Sequence, residues 1–208
     1  MIPCSLPPEP QDFDSCARRP GLRWLSEHQT GRPKNLWSPF LSYLADGFRN
    51  LCAYSAMYEP VGEVDHYLSM DHPLRPENRK LAYEWSNYRF ASRLMNNKKR
   101  NEDDQVLDPL VVQEGWFAVS LPGLQLCVTE CCPAEFRKRA LFTIKRLGLE
   151  QDERVLRQRR HWLAEYEETN DLSILEHNAP LLAAAVRKKD AQGDSATARS
   201  PNSRNEPC

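Results

Sequence analysis

The segment between residues 52 and 100 constrains the fold most, because its pattern changes from β-prone to helical within a short length. The turn residues Pro60 and Gly62 divide short β-prone pieces, which predicts a hairpin over residues 52–68. The residues from 86 to 99 then predict a helix. We therefore expect a hairpin followed by a helix at the centre of the fold.

Four polar residues in this segment suit the hydrolysis of a phosphodiester. Asp65 and His66 lie together in a strand-like piece, whereas Asn87 and Asn96 belong to the predicted helix, whose N-cap is Ser86 or Asn87. The reaction needs a base for the attacking water and a hard cation to neutralise the charge that develops at phosphorus. His66 can act as the base, and Asp65 and Asn96 offer oxygen atoms that Mg²⁺ accepts. Taken singly, each is better explained as a surface or structural residue, so the nuclease hypothesis depends on their combination.

Charge restricts where nucleic acid can bind. The chain has 208 residues, of which 27% are charged, and its net charge is −1, so any nucleic-acid partner must be met by a local basic face. Residues 136–160 hold nine basic and three acidic side chains, and together with Arg93, Lys98, Lys99 and Arg100 they predict a face that contacts phosphates. Solvated helix surface, or salt bridges to an acidic partner, explains residues 136–160 equally well. Phosphate contact is favoured for Lys98 and Lys99.

Two further features bear on localisation. The N-terminal sequence MIPCSLPPEP has neither the basic n-region nor the apolar h-region of a signal peptide, and no apolar run approaches membrane-spanning length. The seven cysteines are odd in number and irregularly spaced, which favours free thiols over a disulfide framework. We therefore expect a cytoplasmic protein with no membrane partner.

The chain divides into four predicted parts around one core. Residues 1–34 carry six prolines and predict an extended arm. Residues 35–106 hold the hairpin–helix core with a preceding helix, and residues 107–189 hold a second hairpin and further helices. Residues 190–208 are polar and of low complexity, which predicts a disordered tail. The expected fold class is α+β, mainly helical, with the central hairpin and helix embedded in flanking helices.

Helical periodicity and turn residues locate the flanking elements. The predicted helices cover residues 39–50, 134–147, 152–167 and 172–187, and Gly148 ends the second of them. The sequences WFAVSL and LQLCVT flank Pro122-Gly123, which predicts the second hairpin.

The order of motifs in the central segment resembles the HNH endonuclease family, whose ββα-metal fold is a hairpin followed by a helix. The motifs are G-x-V-D-H, then Y-E-W-S-N, then N-x-x-K, within about a quarter of the chain. The resemblance implies that His66 is the general base and that Asp65 and Asn96 are ligands of Mg²⁺ or Mn²⁺. It also implies that Asn87 braces the loop and orients the base, and that Lys99 contacts a phosphate.

This chain departs from the family at the positions of a structural zinc site. Many HNH proteins carry two C-x-x-C pairs, which read Cys52-Ala-Tyr-Ser55 and Ser92-Arg-Leu-Met95 here. A tetrahedral zinc site needs four good ligands, so we expect no structural zinc and expect Met95 to fill the space with apolar packing. Two alternatives stay open: an active nuclease without zinc, or a domain with a binding role.

The C-terminal half resembles one branch of the family. The sequences DPLV near residue 108 and TIKRLGLEQDERVLRQRRHWL look like HNH proteins that are paired with an ATPase in Septu-type and retron-associated antiphage systems. The resemblance implies a bacterial defence effector with an ATPase partner and nucleic acid, DNA in the first place, as substrate. The alternatives are an effector that cleaves tRNA and a non-catalytic binding subunit with the same fold.

Overall fold

The computed structural model describes residues 1–103 and 105–197. About half of this chain is helical, and its strands form two small antiparallel sheets, so the expected α+β class is confirmed at that level. The α-helices are α1 (Arg19–Glu27), α2 (Leu41–Gly47), α3 (Arg93–Lys99), α4 (Ala134–Leu147), α5 (Glu153–Thr169), α6 (Leu172–Asn178) and α7 (Pro180–Thr197). The strands are β1 (Glu63–His66), β2 (Tyr88–Ala91), β3 (Phe117–Ser120) and β4 (Gln125–Val128).

The prolines predicted an extended arm over residues 1–34, but part of this region is helical. A π-helical turn, Asp14–Arg18, leads directly into α1, whose proline lies in the first turn, where the missing N–H has no helical partner to lose. Phe13 and Ala17 are four residues apart and fully buried, so one helical face packs into the core. A Cβ on Gly21 would lie 2.5 Å from the Tyr83 ring, which shows how closely α1 approaches the rest of the protein.

The central strand pair differs from the predicted hairpin. β1 pairs with β2 in antiparallel register, with Asp65 opposite Arg89 and His66 opposite Tyr88. The hairpin predicted over residues 52–68 is wrong, because β1 finds its partner beyond a long connection rather than in the neighbouring turn. That turn is held by a single bridge between Leu51 and Tyr58.

The helix predicted over residues 86–99 is shorter than expected. Trp85–Asn87 is a 3-10 turn, residues 88–91 form β2, and α3 begins only at Arg93. Ser92, rather than Ser86 or Asn87, is the N-cap, because its hydroxyl accepts a hydrogen bond from the Met95 N–H at 3.3 Å. All four residues of β2 are buried, so tertiary burial decides the strand conformation.

The C-terminal half follows the predicted pattern more closely. β3 and β4 form the second hairpin, and α4 ends at Gly148, whose φ of 69° is the left-handed cap that glycine favours. The helix predicted over residues 172–187 is instead two helices, because Pro180 cannot continue the hydrogen bonding of α6. Helix α7 continues to Thr197, into the segment that was predicted to be a disordered tail, and residues 198–208 of that segment lie outside the described residues.

Two hydrophobic clusters meet at the central strands. One is rich in aromatic residues and joins the N-terminal helices to Tyr88 and Phe90 of β2. The other, larger cluster joins the C-terminal helices and hairpin to Ala91 and Met95. β2 and α3 therefore lie at the junction of the two clusters, which fixes β1 and its polar residues between them. None of the described helices is long and apolar enough to cross a membrane.

Candidate active site

Asp65 is a carboxylate held inside the protein on β1. Its side chain is 1% exposed. The Tyr54 hydroxyl donates to Asp65 Oδ2 at 2.5 Å, and the Lys99 amine lies 2.8 Å from Asp65 Oδ1. Burial, followed by the charge of Asp65, raises the pKa of Tyr54 well above its ordinary value, so the phenol keeps the proton that it donates. Oδ1 accepts no well-aligned hydrogen bond within the described residues, although the amine is near.

His66 is the next residue on β1 and is 8% exposed. Its Nε2 lies 3.2 Å from the carbonyl oxygen of Ala82, and the rings of Trp37 and Tyr88 pack edge-on against it. Burial lowers the pKa of His66 to about 4, so the ring is neutral at physiological pH. Because a carbonyl oxygen only accepts, Nε2 carries the proton and Nδ1 keeps its lone pair. The ring therefore has the tautomer of a general base.

Asn87 fastens the chain that follows β1. Its Oδ1 accepts from the Leu68 N–H at 2.7 Å, and its Nδ2 donates to the carbonyl oxygens of Leu68 and Leu81 at 3.0 and 3.1 Å. Ala82, whose carbonyl contacts His66, directly follows Leu81. Asn87 thus joins the chain after β1 to Leu81, the neighbour of the residue that contacts His66.

Asn96 lies on α3 beside Glu63, the first residue of β1. Its Nδ2 donates to Glu63 Oε1 at 2.9 Å, which turns Oδ1 away from that carboxylate. Oδ1 has no hydrogen bond within the described part of the chain. Asp65, His66, Asn96 and Lys99 line one cavity of about 150 Å³. The predicted base and both predicted metal ligands are therefore brought together.

The donor set in this cavity suits a hard cation. Asp65 Oδ1 and Asn96 Oδ1 are oxygen atoms of the kind that Mg²⁺ accepts, and Mg²⁺ is commonly held by one or two carboxylates while it keeps several waters. No cluster of three or more His, Cys, Asp or Glu side chains able to hold a metal occurs among residues 1–103 and 105–197. A metal at this site would thus depend on few protein ligands.

The four predicted phosphate contacts have different surroundings. Lys99 is 1% exposed and donates to the His66 carbonyl oxygen at 2.8 Å, in addition to its ion pair with Asp65. Lys98 Nζ lies 2.6 Å from Asp152 Oδ2. The Lys99 amine is therefore held inside the protein, whereas the ion pair of Lys98 is partly exposed, and phosphate contact by either amine stays a prediction. Arg93 and Arg100 are exposed.

Cys52, Ser55, Ser92 and Met95, which the resemblance compares with zinc ligands, lie near one another, since Ser55, Ser92 and Met95 line one cleft and Cys52 contacts Ser92. The Ser92 N–H donates to Cys52 Sγ at 3.3 Å, across forty residues of sequence. Ser55 is 5% exposed and Met95 is 1% exposed. Met95 belongs to the larger hydrophobic cluster, as expected from the sequence. The turn that begins at Cys52 and the start of α3 therefore pack against each other, with the Cys52 sulfur in contact with Ser92.

Three residues near the site were not found from the sequence. Tyr54 holds Asp65, and Glu63 orients Asn96. Arg32 lines the cavity from the N-terminal segment, and its guanidinium is 73% exposed and 4.0 Å from Asp71. The position of Glu63, two residues before Asp65 on the same strand face, is a signal that could have found it. No local signal indicates Arg32, because its proximity to the site is purely tertiary.

Comparison with protein-family models, with curated proteins and with solved structures finds no match to this chain. The chemical interpretation of the site therefore depends on the residues described above.

Proposed function

We propose that this protein is a metal-dependent endonuclease of HNH type that hydrolyses phosphodiester bonds in nucleic acid. The observation that carries the proposal is the convergence of Asp65, His66 and Asn96 on one small cavity. The antiparallel pairing of β1 with β2, and the position of α3 directly after β2 in the chain, support the proposal. Mg²⁺ or Mn²⁺ is the proposed cofactor.

His66 has the properties that the base of this reaction needs. The hydrogen bond to Ala82 fixes the proton on Nε2, and the lowered pKa leaves Nδ1 unprotonated at neutral pH. Nδ1 takes a proton from the attacking water as that water approaches phosphorus. The packed rings of Trp37 and Tyr88 hold the imidazole in one orientation, which reduces the reorganisation needed in the reaction.

Asp65 and Asn96 are the residues that would hold the cation. When bound, such an ion neutralises charge on the phosphate oxygens in the transition state. Tyr54 keeps the Asp65 carboxylate in place by its hydrogen bond to Oδ2, and Oδ1 is the oxygen beside the Lys99 amine. Glu63 holds the Asn96 side chain in place by accepting a hydrogen bond from its Nδ2.

A cleavage assay with matched histidine variants tests the proposal. Plasmid DNA, single-stranded DNA and tRNA are incubated with the purified protein and Mg²⁺ or Mn²⁺. We expect cleavage of at least one substrate, its loss in EDTA, and a decrease of roughly 10²–10⁴-fold in His66→Ala. His28→Ala removes an exposed imidazole at the C-terminal end of α1 that does not line the cavity, and it serves as the control. Equal activity in wild type and His66→Ala would show that the base is misassigned.

One observation favours a second candidate, a non-catalytic subunit that binds nucleic acid. The Lys99 amine already lies against the Asp65 carboxylate, which is the arrangement of a structural ion pair. In that case Mg²⁺ would neither bind at Asp65 nor stabilise the protein, and no substrate would be cleaved. Isothermal titration of the metal-free protein with Mn²⁺, compared with Asp65→Asn, separates the two candidates.

The choice of substrate and partner depends on the resemblance of the C-terminal half alone. It favours DNA over tRNA as substrate, an ATPase as partner and antiphage defence in a bacterial cytoplasm as setting. Co-purification with the candidate ATPase, and its loss on deletion of residues 1–34 or of α6 and α7, tests the partnership.

A further inference from the structure

A second cleft lies between α3 and α5, next to the candidate active site. Its volume is about 470 Å³, and its walls include Arg93 of α3 together with Arg154, Arg157 and His161 of α5. Glu59 is the one acidic side chain among the described residues that line it. The cleft is therefore basic, although the protein as a whole carries a net charge of −1.

Two of these arginines have no internal partner. Arg93 and Arg157 are exposed, and neither side chain forms an ion pair or a hydrogen bond with the chain that the structure describes. Arg154, in contrast, is paired with Asp152 at 2.8 Å. Unpaired guanidinium groups that share a cleft repel each other, and an anion between them removes the repulsion and accepts bidentate hydrogen bonds.

The floor of the cleft is apolar. Leu94, Met95 and Val155 line it, and Val61 lies at its edge with 81% of its surface exposed. The exposed imidazole of His161 adds a flat ring to one wall. Basic groups around an apolar floor suit a nucleotide strand, because phosphates meet the arginines while sugars and bases cover apolar surface. An acidic peptide would use the charges but leave the floor uncovered.

Helix α3 connects this cleft to the candidate site. Arg93 lines the cleft and Asn96 lines the cavity, and residues three apart lie on the same helix face about 4.5 Å along its axis. The segment that contains β1 connects the cleft to the cavity in the same way, since Val61 borders the cleft and Asp65 borders the cavity. A strand that lies in the cleft therefore reaches the site along one continuous surface.

We propose that the cleft binds the sugar–phosphate backbone of one nucleic-acid strand beside the bond at the candidate site. The inference depends on the proposed nuclease function and names the surface that holds its substrate. It assigns phosphate contact to Arg93 and Arg157, whereas Lys98 and Lys99 are engaged within the protein.

Binding without catalysis tests this inference. Fluorescence anisotropy in EDTA measures the affinity of the full chain for a short labelled single-stranded DNA and for its RNA counterpart over a range of salt concentrations. Arg93→Gln and Arg157→Gln should each weaken binding roughly threefold or more, and each should lower the slope of log K against log salt by about 0.7. Arg23→Gln removes an exposed arginine of α1 whose side chain has no partner among the described residues, and it should leave both quantities unchanged.

Each outcome decides the inference independently of the nuclease activity. A loss of affinity confined to the two cleft variants supports the cleft even if no cleavage is ever seen, in which case the nuclease proposal alone fails. Wild-type affinity in both cleft variants overturns the cleft, even if His66-dependent cleavage is observed. The inference is also overturned if the wild type binds neither the DNA nor the RNA oligonucleotide. In that case, binding of poly-glutamate would indicate an acidic protein as the ligand of the cleft.

Discussion

The Lys99 amine lies 2.8 Å from Asp65 Oδ1, and both side chains are 1% exposed. This ion pair joins α3 to β1 inside the protein, and Lys99 also donates to the backbone oxygen of His66. The carboxylate proposed to bind a metal thus already has a cation beside it. Metal affinity at this site should therefore be coupled to the charge and position of Lys99.

Replacement of Lys99 by Met should destabilise the metal-free protein by roughly 3–5 kcal/mol, because the loss of one partner of a buried ion pair leaves Asp65 in the interior with only the Tyr54 hydroxyl as partner. Mg²⁺ that binds in place of the amine should raise the melting temperature of this variant more than that of the wild type. Thermal unfolding with and without Mg²⁺ measures both effects. The control Lys98→Met removes a partly exposed ion pair and should cost less than about 1 kcal/mol. Equal losses in the two variants would refute the internal role of Lys99.

Asn96→Ala should weaken metal binding without disturbing α3, because alanine is a good helix former. Cleavage should fall at low Mg²⁺ and recover, at least in part, when Mg²⁺ is raised. His66→Ala should show no such recovery, since added metal does not replace a base. Asn97 is exposed and points about 100° away, so Asn97→Ala should resemble wild type. Inactivity of Asn97→Ala with normal activity of Asn96→Ala would reverse the assignment of the metal ligand.

The titration of His66 should make stability depend on pH. Its pKa is about 4 in the folded protein and 6.5 in the unfolded chain, so between these values the unfolded state binds more protons. The contribution of the neutral His66 to the free energy of unfolding is present above pH 6.5. It is lost as the pH falls towards 4, and roughly 2 kcal/mol of it is lost by pH 5. Urea unfolding at several pH values measures this loss. His66→Asn should lack this component, and parallel curves for the two proteins would contradict the buried neutral imidazole.

Asn87→Ala should affect both stability and catalysis. It removes the partners of a Leu68 N–H and of two carbonyl oxygens inside the protein, which should cost about 1–3 kcal/mol. Cleavage should fall at every Mg²⁺ concentration, because the 3-10 segment Pro76–Tyr83, which carries Ala82, no longer holds the imidazole. Ser86→Ala, one position earlier and exposed, is the matched control. Recovery of Asn87→Ala activity at high Mg²⁺ would indicate a role in metal binding instead.

Short-range patterns predicted much of the C-terminal half correctly. The hairpin of β3 and β4, helix α4 with its Gly148 cap, and helix α5 all follow from contacts between residues close in sequence. Pro180 marked the break between α6 and α7, but the sequence-based prediction treated the two as one helix. In the central segment, Asp65 and His66 were expected on a strand, and both lie on β1.

The sequence alone thus determined which residues can act as base and as oxygen ligands, because those properties belong to the side chains. The tertiary structure decided which of them meet. β1 pairs with β2 rather than with a neighbouring piece, because burial of all four β2 residues between two clusters outweighs local propensity. Lys99 looks like a solvated residue in NNKKR, yet it is buried because Asp65, far away in sequence, offers a compensating charge. Such pairings depend on the free energy of contacts between distant segments, which no local pattern encodes.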